Sequence, residues 1–328
     1  MKYKGRALYN LLQMNLKQDP SIEVEKWQVE DYRELTTAEL FKRLNQMEIG
    51  LTEPQFLLYV DEFDSPEDLT DCLYLDEDLE RHQKIYLAVF ELWRRLAPHK
   101  HSLSLFVDEL DHLIERYEEG EIEVQDELES AISSFQSILD DNVDVGGNAL
   151  EGFEFFSLFS CHDLEVFLYE YTCHQIDTDN DLYASELIEG FYPYISRKRW
   201  FDLLRARLLI ETNVNEGKLM LDRLLASLNE EKELPLLFEL LHLHIYLEDE
   251  DQFQRAYLQA LEEVTKEEDL RELLLITAEY FHVIENEMAE ARINHLLESH
   301  EQEGLSGDIK NHKSSQAILK ELRALSLK

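Results

Sequence analysis

Glutamate stands three residues before histidine at Glu109–His112, Glu239–His242 and Glu279–His282. On a helix that spacing turns a carboxylate and an imidazole to one face, the donor pair from which helical bundles build di-metal carboxylate sites. A complete site needs two such pairs and two further glutamates on facing helices, and would make the chain a helical-bundle metalloenzyme. In a chain with 71 Asp and Glu residues, chance alone also delivers such pairs. Cys161-His162 and Cys173-His174 offer zinc-type donors. A 12-residue helical separation spans about 18 Å, however, too far for one ion with bonds of about 2.0–2.3 Å. The first pair can reach an ion shared with the second only if the chain folds back before the helix, so Cys173 reads as a buried structural thiol. Asp177-Thr178-Asp179-Asn180-Asp181 opens like a calcium loop. Leu182 then stands where the turn glycine belongs and Ile188 where a bidentate glutamate would close the site, which leaves a capped, solvated loop. There is no Gly-rich phosphate loop, nucleophile elbow or His-Glu-x-x-His. The expectation is a chain that is not an enzyme, with no catalytic residue, no metal ligand and no cofactor.

Any of these side chains would be positioned by helices. The 10 glycines and 6 prolines are few for 328 residues, while Leu and Glu are abundant. Sheet-rich folds need many tight turns made of those scarce residues, so the expected fold is all-α. A hydrophobic fraction of 44% is that of a folded chain. The net charge of −40 repels phosphate backbones and anionic headgroups, which argues against nucleic acid and membrane as partners. It favours a basic protein or peptide; the plainer alternative is that the charge only keeps the chain in solution. An odd, low count of 3 cysteines argues against a disulfide framework and for the reducing cytoplasm. The opening Met1–Leu16 is interrupted by Asn10, Gln13 and Asn15, which makes it an amphipathic helix rather than a signal peptide. No apolar run approaches the roughly 18 residues of a membrane span.

Along the chain, Thr36-Thr37-Ala38-Glu39 is a capping box, and Ser65-Pro66-Glu67-Asp68 sets a cap, an N1 proline and first-turn acids. Leu79, Tyr86, Val89, Phe90, Trp93 and Leu96 form one helical stripe stopped by Pro98. Another helix ends at Gly120, a left-handed cap, and a further one covers about Val124–Leu139. Asp140 to Asn148, with Gly146-Gly147, is the most loop-like interior stretch. The expected organisation is a helical region over 1–140, a linker at 141–148, helical hairpins over 149–303 and a tail over 304–328. The alternative is one continuous array in which 141–148 is only a long loop.

From Lys198 onward helices come in pairs. First helices start near Lys198, Leu234 and Asp269 and second helices near Asn215, Asp251 and Asn286, a spacing of 35–36 residues. At an offset of 35, Phe238 meets Leu273, Leu240 meets Leu275, Tyr246 meets Phe281 and Ala256 meets Ala291. Large residues on one helix facing small alanines on the next suit closely packed hairpins that cover one another's apolar faces. Over residues 198–299 this resembles tetratricopeptide-like repeats, with Trp200 and Leu203 fitting the opening of their pattern. Leu204 replaces the usual glycine, Arg207 the usual tyrosine, and the closing proline is missing. The resemblance implies an α-solenoid; it names no ligand. A plain helical bundle is the alternative architecture.

Two basic islands interrupt the acid. Arg197, Lys198, Arg199 and Trp200 are candidate partner-binding residues, or else neutralise neighbouring acidic helices. In the tail, Gly304-Leu305-Ser306-Gly307-Asp308 reads as a flexible joint. Beyond it Ser314-Ser315 can cap a basic amphipathic helix whose stripe is Ile318, Leu319, Leu322 and Leu325. That helix is expected to dock on its own chain, as a cap on the last hairpin or in the partner groove. The function these readings favour is a non-catalytic scaffold, adaptor or chaperone for basic segments of other proteins.

Overall fold

Capping chemistry decides where the helices begin. The computed structural model describes residues 3–325; Met1, Lys2 and the last three residues of the expected tail (Ser326, Leu327 and Lys328) lie outside them. Among the described residues there are seventeen α-helices, four 3-10 turns and no β-strand, so the fold is all-α. They divide into two compact units, 3–171 with 189–196, and 172–188 with 197–325.

The first unit holds α1 (Ala7–Gln18), α2 (Thr37–Gln46), α3 (Glu53–Glu62), α4 (Pro66–Leu73), α5 (Leu79–Leu96), α6 (Leu103–Glu118), α7 (Gln125–Asp144) and α8 (Ala149–Ser157). Thr36 and Ser65 cap α2 and α4 as their sequences require. Gly120 adopts φ 84° after α6. The third helix had no counterpart in the sequence reading, although its Thr52–Gln55 capping box and Pro54 are a start signal of the same kind. Phe90 and Trp93 of α5 are buried against Leu40, Phe56 and Leu69 of the three helices before it. Two buried carboxylates are matched by guanidinium groups. Glu91 is held by Arg94 and Arg95, and Asp108 by Arg33 at 2.8 Å and Arg6 at 3.5 Å. The linker expected at 141–148 lies inside this unit. Asp141 to Asp144 complete α7, and Val145 to Asn148 alone make the turn into α8.

The chain crosses between units inside α9 (Leu164–Asp177) and α10 (Asp181–Phe191) and again at Ser196–Arg197. The second unit then builds three hairpins: α11 (Lys198–Thr212) with α12 (Val214–Ser227), α13 (Leu234–Tyr246) with α14 (Glu250–Glu263), and α15 (Glu267–Val283) with α16 (Glu287–Glu303). A last helix, α17 (Lys313–Arg323), packs on α14, α15 and α16. This is the helical-hairpin solenoid expected of the C-terminal half, and one apolar core runs through it from Leu203 to Leu322.

Its register differs from the expected 35. Second helices repeat every 36 residues, with Leu221, Tyr257 and Ile293 buried at one position and Leu225, Leu261 and Leu297 packed at the next. From α13 to α15 the step is 33, pairing Leu237 with Leu270, Leu240 with Leu273 and Leu241 with Leu274. Ala256 is fully buried as expected, but Ala291 is exposed. At the true spacing Ala291 matches the exposed Arg255, so it does not face a partner helix. Tyr246, expected inside, is likewise turned outward.

Close approach in the first hairpin falls to Gly217 instead. A β-carbon there would lie 2.6 Å from Ile210 Cγ1 and 2.9 Å from the Ile210 main-chain nitrogen. Gly217→Leu is therefore expected to destabilise the second unit by about 1–3 kcal/mol, measured as a shift in the urea midpoint at constant m-value.

His244 occupies a buried position of α13, and burial pulls its pKa from 6.5 down to about 4. Its folded form stays neutral down to that value while the unfolded chain takes up the proton near 6.5. Between the two the unfolded state binds more protons, so this residue makes stability fall as pH drops through the window. The full effect is about 3 kcal/mol. Unfolding of the wild type and of His244→Leu at pH 7 and pH 4.5 should show a smaller loss for the variant.

Candidate functional site

The first helices of the second and third hairpins share one solvent-facing surface. Along α13, Glu239, His242 and Tyr246 recur at helical spacing on the exposed side; along α15, Glu268, Glu272, Leu275, Glu279 and His282 do the same. His242 joins the two rows, its Nδ1 lying 3.1 Å from Glu279 Oε2 and its Nε2 3.9 Å from Glu272 Oε1. Tyr246 is 72% exposed and Leu275 36% exposed. The surface thus combines an aromatic ring, a leucine and four carboxylates on two adjacent helices.

Two of the three Glu-x-x-His pairs meet, His242 of one lying against Glu279 of the other. Glu109 pairs with Arg33, and its histidine lies in the first unit, while the other two pairs lie in the second. His282 meets Glu290, and His242 meets the glutamates of α15.

The basic island is drawn into its own surroundings. Arg199 reaches Glu231 at 3.0 Å and Glu233 at 3.4 Å, and the Trp200 indole N–H donates to Glu233 at 2.6 Å. Arg205 stands 3.7 Å from Asp202, and Arg207 pairs with Asp177 at 2.6 Å. Arg197 and Lys198 are exposed at the start of α11. Of the candidate partner-binding residues, Arg199 and Trp200 serve to fasten the entry to α13.

The tail meets its own repeats. Ile318, Leu319 and Leu322 are buried in the repeat core, with Leu325 packed at its edge. The stretch from Gly304 to Asp308, expected to be a flexible joint, is stitched down. Glu267 N–H donates to the Gly307 carbonyl and Ile309 N–H to the Thr265 carbonyl, each at 2.9 Å. Gly304 at φ 57° and Gly307 at φ 91° supply the turns that make this possible, which is how two glycines came to suggest mobility. His312, rather than Ser314, precedes the helix. Ser315 and His300 Nε2 both contact Glu267 Oε2 at 2.8 Å. The serine donates to the carboxylate, so this group braces α17.

A further junction escaped the sequence reading because its members lie about fifty positions apart. Asp111 of α6, 3% exposed, accepts from Ser160 Oγ at 2.6 Å and from Cys161 N–H at 2.9 Å. Burial raises the Asp111 carboxyl to about 6. Burial and the adjoining carboxylate push the Cys161 thiol well up, and burial lowers His162. A thiol held protonated is a poor nucleophile, so this Cys-His-Asp set lacks the electrostatics of a cysteine hydrolase. The signal that points to it is the acid stripe Asp111, Glu115 and Glu118 at helical spacing on α6.

Compared with known proteins, the chain matches no protein-family model, no curated protein and no solved structure. Among the described residues no helix is long and apolar enough to cross a membrane.

Ser315→Ala should cost the second unit about 2 kcal/mol, because it removes a hydrogen bond to a buried carboxylate. Equilibrium urea unfolding followed by circular dichroism measures this, and an unchanged midpoint would remove Glu267 from the role of anchor.

Proposed function

We propose that this chain is a non-catalytic, tetratricopeptide-like helical scaffold or adaptor that binds basic segments of other proteins on the α13–α15 face. The observation that carries the reading is that face itself: Glu239, Glu268, Glu272 and Glu279 share it with the exposed Tyr246 and Leu275 on two adjacent helices. Long-range attraction from a chain of net charge −40 speeds encounter with cations, and the two apolar side chains supply the contact that keeps a correct partner. The same field disfavours nucleic acid and anionic membranes as partners. None of the thiols Cys72, Cys161 and Cys173 is in a disulfide, which fits a reducing compartment such as the cytoplasm.

Fluorescence anisotropy with a labelled amphipathic peptide rich in Lys and Arg tests the reading, against an acidic peptide of the same apolar pattern. Binding of the basic peptide alone is expected, weakening as salt rises from low to near molar concentration. Glu272→Lys with Glu279→Lys should reduce its affinity by roughly tenfold or more. Equal binding of both peptides, or indifference to salt and to the double reversal, would overturn the proposal.

A further inference from the structure

The turn between α8 and α9 brings Cys161 and His162 to Asp111 of α6, three side chains of metal-binding chemistry at one point. The donor atoms of Asp111, Cys161 and His162 all lie within 4.8 Å of one another, the one such group of three among the described residues. Tetrahedral zinc with bonds of about 2.0–2.3 Å separates its ligands by roughly 3.3–3.8 Å, so small side-chain movements close the gap. We propose that these three residues bind a single divalent cation of zinc type, which pins the α8–α9 turn to the middle of α6.

The donors suit that ion. Thiolate, imidazole and carboxylate together match the borderline-soft character of zinc and not the all-oxygen preference of magnesium or calcium. They also come from two places in the chain, a helix and the turn that faces it. That is the arrangement by which a structural metal ties distant segments, and it differs from a chance pair of neighbours in sequence. The carboxylate is already oriented: Ser160 Oγ bonds one oxygen and Cys161 N–H the other, which leaves further lone pairs for a metal. These two donors then act as the outer hydrogen bonds that hold a ligating carboxylate in place. Glu118, two turns along α6 from Asp111, places Oε1 3.9 Å from His162 Nδ1 and is itself half-exposed. This solvent side leaves the fourth position to a water molecule. Binding replaces the Cys161 thiol proton, which leaves to solvent, with a sulfur–metal bond.

The test uses the full-length chain, expressed without a histidine tag. Elemental analysis after gel filtration should find zinc near one per chain. Titration of stripped protein with cobalt(II) should give a thiolate-to-cobalt charge-transfer band together with the strong visible bands of a tetrahedral ion. Zinc should displace that signal and raise the melting temperature. Cys161→Ser should abolish the charge-transfer band while far-ultraviolet circular dichroism stays helical; Cys72→Ser and Cys173→Ser should retain it. If Cys161→Ser does not fold, His162→Gln decides, with cobalt affinity expected to fall roughly tenfold or more. No retained zinc and no charge-transfer band in the wild type would overturn the proposal, as would a band that follows Cys72 or Cys173, or one unmoved by His162→Gln.

Discussion

Repulsion among 71 acidic side chains, balanced by only 31 basic ones, is the constraint that every packing contact here must satisfy. Apolar stripes bring the helices together, and most carboxylates are left in water where repulsion is screened within about 8 Å. Those that are buried are heavily supplied with donors. Asp108 receives two guanidinium groups and an amide, Glu91 two guanidinium groups, Asp111 a hydroxyl and a main-chain N–H, and Glu267 a hydroxyl and an imidazole. Cations that remain are placed between successive hairpins, as in Lys218 with Asp249 and Arg255 with Asp222. Exposed pairs of this kind contribute about 0–1 kcal/mol each, so their main effect is to fix which surfaces meet.

The same economy shapes the turns. A left-handed residue commonly ends a helix, and glycine is the usual choice. Here the second and third hairpins place Glu248 at φ 51° and Glu285 at φ 56° in that position. Asp249 and Asn286 follow at once as side-chain caps of the next helix. Each non-glycine left-handed residue costs of order 1 kcal/mol, which the cap and the hairpin core offset. Turn chemistry of this form explains how the chain builds hairpins with few glycines.

Much of this was legible in the sequence where one local signal decides the outcome. Thr36 and Ser65 announced their helices, and Lys198 and Leu234 open hairpins where expected. Register was harder. First and second helices advance by different steps, so a single offset of 35 aligned neither set and sent Ala291 to the wrong face. The Gly304–Asp308 joint misled for another reason: left-handed glycines serve a tight ordered turn as well as a loose one, and main-chain pairing to Thr265 and Glu267 made the choice. The tail stripe Ile318, Leu319, Leu322 could be read from periodicity, whereas its anchor Glu267 could not, since nothing local separates one glutamate from dozens. The link between Asp111 and the Cys161-His162 pair was invisible for a similar reason, being made only by the fold. The α13–α15 face required knowing which side of each helix the core consumes.

The docking of α17 also bears on how such an array can lengthen. Ile318 and Leu322 fill the apolar surface that a fourth hairpin would otherwise cover, and Ser315 engages Glu267 at the head of α15. A tandem duplication appended after α16 would have to compete with this helix for that surface. A duplication inserted ahead of α15 would leave the closing contacts untouched and meet hairpins already spaced for stacking. The array is therefore finished at one end and extensible within, and internal insertion is the direction in which length variants of this architecture can arise.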